Sequence, residues 1–252
     1  MSALTLTPLT GVPHVKPGDD LSAICHQALT ETDIQLEDGD ILVIAQKIVS
    51  KAENRLFDLR KVQPSADALA LAGQTAKDPR LVELVLQESR SVLRALPGLL
   101  IVEHKLGFVC ANAGIDRSNL DDDEEWVLLL PEDPSASARQ IRAFLEETSS
   151  NRIGVLIIDS HGRAWRMGTL GLAIGFSGLP GLVDLRGQGD LAGRELSITV
   201  VAAADELAAG ASLVMGQAAE GTPIVHARGF PYALREGRFN ELLRPKDQDA
   251  FR

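Results

Sequence analysis

Two aspartates, two lysines and one glycine-flanked loop are the residues whose types and places suit phosphate chemistry. Asp116 lies in the stretch Asn112-Ala113-Gly114-Ile115-Asp116-Arg117-Ser118-Asn119, and Asp159 ends the apolar run from Ile153 to Ile158, ahead of Ser160-His161-Gly162-Arg163. Strand ends are where open α/β sheets place ligands, and carboxylate, hydroxyl and amide oxygens are the hard donors that Mg²⁺ or Mn²⁺ accepts. Residue type alone leaves a second reading open, in which both are ordinary turn aspartates. Lys47 and Lys51 stand four apart, a spacing that puts both on one face of a strand and also on one face of a helix. A solvated lysine pair is the plainer alternative.

The segment Gly216-Gln217-Ala218-Ala219-Glu220-Gly221-Thr222 has the glycine frame of a P-loop, but Pro223 follows, the lysine is missing and a predicted helix precedes it. It is therefore not a P-loop. Consecutive backbone N–H groups there can still cradle an anion, with Lys47 and Lys51 supplying the positive charge. Gly175, Gly178 and Gly181 lack the spacing of a dinucleotide fingerprint, which argues against a nicotinamide enzyme of the usual type. The run Asp121-Asp122-Asp123-Glu124-Glu125 reads as solvated like charge. His14, His26, His104 and His226 share no metal-ligand spacing, and Cys25 and Cys110 read as free buried thiols, so zinc is not expected. His161 is placed either to contact a substrate or to cap a turn.

The elements that must position these residues follow from periodicity. Helices are expected over Asp19 to Thr30, Ser65 to Lys77, Pro79 to Leu96, Pro134 to Thr148 and Ala202 to Gly216. Strands are expected at Ile41 to Ala45, Trp126 to Leu130, Ile153 to Asp159 and Ile224 to Arg228, and a hairpin joins Leu99 to Glu103 with Gly107 to Ala111. Strands alternate with helices but also pair in hairpins, so a mixed-sheet α/β or α+β architecture is predicted, with parallel and antiparallel strands and flanking helices. With 252 residues, 45% apolar and 24% charged, the chain can bury a large core. One domain over 1–245, or two intertwined subdomains, is expected, followed by a polar tail at 246–252 that is free to fray. A net charge of −10 argues against sequence-independent nucleic-acid binding, and 4% aromatic residues provide few platforms for stacking bases. Neither a signal segment nor a bilayer-length apolar run is evident, so a cytoplasmic protein with no membrane partner is expected.

Several longer blocks carry a resemblance. Leu9-Thr10-Gly11-Val12-Pro13, GDILVIAQKIVSKAENR at Gly39 to Arg55, ANAGIDRSN at Ala111 to Asn119, IDSHGRAWRMGTLGLAIG at Ile158 to Gly175, DLRGQGDLAGREL at Asp184 to Leu196 and MGQAAEGTPIVHARG at Met215 to Gly229 resemble, in order, the γ-glutamyl ligase family of coenzyme F420 biosynthesis. The resemblance implies a mixed α/β fold, commonly dimeric, that uses GTP, Mg²⁺ or Mn²⁺, and a monovalent cation such as K⁺. It implies that the guanine nucleotide meets Val12, Pro13, His14, Val15, Gln46, Lys47, Lys51, Asn119 and the loop Met215, Gly216, Gln217, Ala218, Ala219, Glu220, Gly221 and Thr222. His14 departs from the pattern, where relatives carry an aliphatic residue. Asp116 and Asp159 are implied to hold one divalent ion, with Ser160 and Gln217 serving a second. The implied reaction joins L-glutamate to the terminal carboxylate of a deazaflavin phosphodiester through an acyl phosphate. Against this stand two other classes, a non-catalytic GTP-binding regulator and a different nucleotide-dependent transferase or oxidoreductase.

Overall fold

The computed structural model describes residues 3–118 and 124–250. Its centre is a mixed sheet of five strands in the order β1-β12-β2-β8-β9, built from β1 (Thr5–Pro8), β2 (Ile41–Ala45), β8 (Gly154–Arg163), β9 (Arg166–Ser177) and β12 (Ile224–Arg228). Only β2 and β8 run parallel, from Ile41 opposite Gly154 to Ala45 opposite Ile158; the other neighbours are antiparallel. The apolar run ILVIA forms a strand buried on both faces, as a covered parallel pair requires. Leu42 and Ile44 face one core with Val155 and Ile157, while Ile41 and Val43 face another with Leu156 and Ile158.

The first core is covered by α1 (Leu21–Glu31) and α5 (Pro134–Ser149), and the second by α6 (Ala203–Met215). Helix starts follow capping chemistry: Asp20, Ser65, Asp78 and Asp133 accept backbone N–H bonds at the N-termini of α1, α3 (Ala66–Thr75), α4 (Pro79–Gln87) and α5. The short helix α2 (Gln46–Ala52) follows β2 directly, so Lys47 and Lys51 share a helix face. Beside the main sheet, α3 and α4 pack on the antiparallel sheet β4 (Ser89–Leu96), β5 (Leu99–His104) and β6 (Val109–Ala111). The pairs β3 (Leu56–Asp58) with β7 (Trp126–Leu128), and β10 (Val183–Asp184) with β11 (Val200–Val201), complete the described strands. The mixed α/β class expected from sequence is the one observed.

One expectation is corrected. The helix predicted from Pro79 to Leu96 ends at Gln87, and Ser89–Leu96 pairs antiparallel with Leu99–His104 about Pro97-Gly98. Glu88 is drawn into an ion pair with Arg55, Nη2 to Oε2 at 2.6 Å, and Val92 and Ala95 pack against the α3/α4 core. Long-range pairing thus outweighs local helix propensity. Two register shifts in β4 break the alternation that would have marked a strand. At the start of the polar tail, Lys246–Gln248 forms a 3-10 turn and Lys246 Nζ lies 2.9 Å from Oε2 of the buried Glu103.

The strand β9 carries no expectation from sequence, because its glycines hide its period. They allow helices to approach on both faces. Ile157 pairs with Gly175 but Ile158 with Ala173, so Ile174 is an inserted bulge residue and Ile174 and Gly175 fall on one side. A Cβ at Gly175 would lie 2.5 Å from Pro134 at the start of α5, whereas one at Gly171 would lie 2.6 Å from the Ala208 carbonyl oxygen in α6. Gly171→Ala is therefore expected to destabilise the fold by about 1–3 kcal/mol through overpacking against backbone. Gly73→Ala in α3, which meets nothing within 4 Å, is expected to be neutral or stabilising by up to about 1 kcal/mol. Urea unfolding of the two variants checks the contrast.

Candidate active site

The strand order gathers the chemistry-bearing segments at one end of the sheet. Parallel β2 and β8 bring Gln46 and Asp159 to the same edge. Antiparallel β12 starts at that edge, so the loop before it arrives there, pinned by Ala45 N–H donating to Pro223 O at 2.9 Å. Antiparallel β1 ends there, which delivers residues 12–15. Between these segments lies a cleft of about 610 Å³. Val12, Pro13, His14, Val15, Gln46, Lys47, Lys51, Asp116, Asp159, Ser160, Met215, Gly216, Gln217, Ala218, Ala219, Glu220, Gly221 and Thr222 all line it. Asn119 and the aspartates of the 121–125 run lie outside the described residues.

Asp116 is held by its backbone, which exchanges two hydrogen bonds of 2.9 Å with Leu128 of β7. The turn leading to it passes through Asn112, Ala113 and Gly114 at φ +51°, +53° and +67°. Such backbone is costly for alanine, and Ala113 is buried in the α3/α4 core, which keeps it there. Lys47 Nζ sits 2.7 Å from Asp116 Oδ2 and donates to Ser118 Oγ at 2.7 Å, while Ser118 N–H donates to Asp116 Oδ1 at 2.7 Å. Burial pushes the Asp116 carboxyl up, but Lys47 and the Ser118 N–H outweigh it and hold the group below the usual carboxylate range. Asp116 is therefore an anion at neutral pH, with the Lys47 ammonium beside it.

Across the cleft, Ser160 Oγ donates to Gln217 Oε1 at 2.8 Å, linking β8 to the glycine-flanked loop. His161 Nε2 lies 2.8 Å from Asp159 Oδ2, an ion-pair separation at which the N–H points off the line to the oxygen. Gln46, buried, accepts from Ser50 Oγ at 2.8 Å within α2. The loop itself turns at Gly216 and Gly221, φ +75° and +71°, and a Cβ at Gly216 would collide with the Glu220 carboxyl at 2.2 Å. Glu220 Oε2 accepts the Ala218 N–H at 2.8 Å, which draws its carboxyl below the ordinary value. The loop's amides are thus aimed at an anion, here supplied by its own side chain.

Two carboxylates, a hydroxyl and an amide oxygen in one cleft form a donor set that fits Mg²⁺ or Mn²⁺. Among the described residues no group of three or more His, Cys, Asp and Glu clusters as metal ligands. An ion here would lean on neutral oxygens and on substrate phosphates besides the carboxylates, as Mg²⁺ commonly does. Sequence reasoning missed Ser118 and the His161–Asp159 contact. The spacing Asp116-Arg117-Ser118 carries the signal for the first, an aspartate that accepts the N–H two residues on.

A family model described as F420-0:γ-glutamyl ligase matches residues 11–229. The chain belongs to this family. It is similar to the coenzyme F420:L-glutamate ligase of Methanothermobacter thermautotrophicus, with 47% identity over 251 residues and 99% of each chain covered. Its similarity to the ligase of that description from Methanopyrus kandleri is 45% over 256 residues, covering 100% of this chain and 99% of the relative. That from Archaeoglobus fulgidus is 42% identical over 245 residues, 97% and 95% of the two chains. The F420-0:γ-glutamyl ligase family consists of amide-forming ligases. No helix among the described residues of this member is long and apolar enough to cross a membrane.

Both cysteines are free and buried. Burial first, and then the charge of Asp159, push the Cys110 thiol up to about 12. Cys110 is thus expected to resist iodoacetamide at pH 8 in the folded protein and to react once urea unfolds it, because the thiolate is the nucleophile. Mass spectrometry of the labelled peptides checks this.

Proposed function

We propose that the chain joins L-glutamate to the terminal carboxylate of a deazaflavin phosphodiester, F420-0, at the expense of GTP, and extends the product with γ-linked glutamates. The observation that carries this reading is the convergence, at one sheet end, of Lys47, Lys51, Asp116, Asp159 and the loop of 216–222 in one cleft, in a member of this family. A substrate carboxylate oxygen attacks the γ-phosphorus of GTP, the bond to the β-phosphate oxygen breaks, and GDP leaves. The glutamate amine then attacks the acyl phosphate carbon; the C–O bond to phosphate breaks, a proton is lost and the amide forms. No protein nucleophile is needed, so the protein's work is positioning and charge compensation.

In this reading Lys51 and the amides of residues 216–222 hold the phosphates, and Lys47 exchanges Asp116 for phosphate oxygen as nucleotide arrives. Asp116 and Asp159 would hold one Mg²⁺ or Mn²⁺, with Ser160 and Gln217 serving a second; such ions supply charge neutralisation at the transferring phosphoryl group. A monovalent cation such as K⁺, a homodimer and a cytoplasmic site of action belong to the same proposal. Incubating the protein with GTP, Mn²⁺, glutamate and each candidate deazaflavin tests it. Stoichiometric GDP, phosphate and glutamylated product are expected, seen by mass spectrometry. A regulator would bind GTP with no glutamate-dependent turnover, and a redox enzyme would demand an electron acceptor.

Asp159→Asn is expected to abolish ligation with an unchanged unfolding midpoint, since it removes a hard anionic donor at nearly constant volume. Asp122→Asn, in the acidic run, is expected to keep wild-type turnover; equal losses in the two would reassign the carboxylates. Lys51→Met is expected to weaken GTP binding by roughly one to two orders of magnitude, about 1.5–3 kcal/mol for a lost charge-assisted contact. Guanosine should be affected less. Calorimetric titration with both ligands reads the difference, and equal losses would assign the lysine to the fold instead.

A further inference from the structure

The hairpin that carries Asp159 and Ser160 runs on past the cleft. Its tip presents Trp165, 86% exposed, and Met167, 97% exposed. Trp165 is the one exposed Phe, Tyr or Trp among the described residues. It sits at φ +65°, backbone that a bulky residue rarely adopts. Arg163 and Arg166 face each other across the tip, and Arg163 Nη1 donates to Gly168 O at 3.1 Å, bracing the turn. From residue 161 to 183 the chain has these two arginines and no carboxylate, although its net charge is −10.

Among the described residues no Phe, Tyr or Trp lines the cleft, where the one aromatic ring is the His14 imidazole, so a planar ring joined to the reacting carboxylate would find no indole or phenyl face there. We propose that the hairpin tip is the platform for the aromatic head of the acid substrate: Trp165 stacks on the deazaflavin ring and Arg166 meets the phosphodiester. The inference rests on the ligase reading. The order of groups supports it. The substrate's carboxylate must reach the phosphoryl site beside Ser160, its anionic phosphodiester comes next, and its ring last. Ser160 to Arg163 spans three strand residues, about 10 Å, and the hairpin then offers guanidinium groups and an indole in that order. Stacking with cation–π support holds flat rings to such surfaces.

The test uses Trp165→Ala and Trp165→Phe in the full chain. Steady-state kinetics are measured with F420-0 and with a truncated acid that keeps the phosphodiester but carries methyl in place of the deazaflavin. For Trp165→Ala the KM for F420-0 is expected to rise about tenfold, with KM for the truncated acid and Kd for GTP unchanged. Trp165→Phe is expected to recover most of the loss. An unchanged KM for F420-0 in Trp165→Ala overturns the inference, as does an equal rise for both acids. A drop from dimer to monomer in sedimentation velocity overturns it too, since it assigns the tip to contact with a second copy. If the wild-type protein ligates neither acid, the ligase reading itself fails and takes this inference with it.

Discussion

The parallel pairing of β2 with β8, inside a sheet that is otherwise antiparallel, is the constraint on which the site depends. Five main-chain pairs from Ile41–Gly154 to Ala45–Ile158 bring the ends of two strands to one edge. Antiparallel β12 and β1 then deliver a loop before one and a segment after the other to that same edge. A one-residue slip would exchange the two faces of the strand that moves. For β2 it would bury Ile41 and Val43 under α1 and α5 instead of α6. Because each face packs against its own set of helix side chains, packing resists that slip, and the register of the core fixes the geometry of the cleft.

Within the cleft, several polar groups are engaged before any ligand enters. Lys47 is ion-paired with Asp116, Glu220 accepts the amide N–H of Ala218, and His161 lies beside Asp159. Leaving the half-buried Asp116 unpaired would cost more than its pairing with Lys47 gains. These contacts also prescribe what a ligand must supply. A phosphate that replaces a carboxylate beside a lysine, or a cation that replaces a lysine beside a carboxylate, conserves the local charge balance. The donors stand on a helix, on two strand ends and on a loop closed by Thr222 Oγ1 donating to Met215 O at 3.1 Å. Positioning therefore comes from regular elements more than from mobile chain.

Much of this was legible in residue order. ILVIA, with no polar residue and β-branched members, had to be a strand covered on both sides. Asp20, Ser65, Asp78 and Asp133 announce four helix starts, and the expected helices and strands appear there within a few residues. Asp116, Asp159 and the glycine-flanked loop stand out because strand ends and glycine frames have mechanical reasons to be near phosphate. What was not legible lies where the local pattern is silent or false. The stretch Ser89–Leu96 has helix-forming leucines and two bulges, and only its partner Leu99–His104 makes it a strand. Likewise β9 has glycines where a strand pattern needs side chains, and the reason, close approach of α5 and α6, lies in other parts of the chain.

Residue order sets the local elements, the apolar faces and the kinds of donor on offer, because these follow from side-chain volume, period and capping over a few neighbouring residues. Tertiary structure alone decided that residues as distant as Val12, Lys47, Asp116, Asp159 and Gln217 share one cleft. It also decided that Lys47 neutralises Asp116 and that His161 sits behind Asp159. Strand order and register set those meetings. They depend on how two faces of a sheet are filled by helices from opposite ends of the chain, which no short window of residues contains.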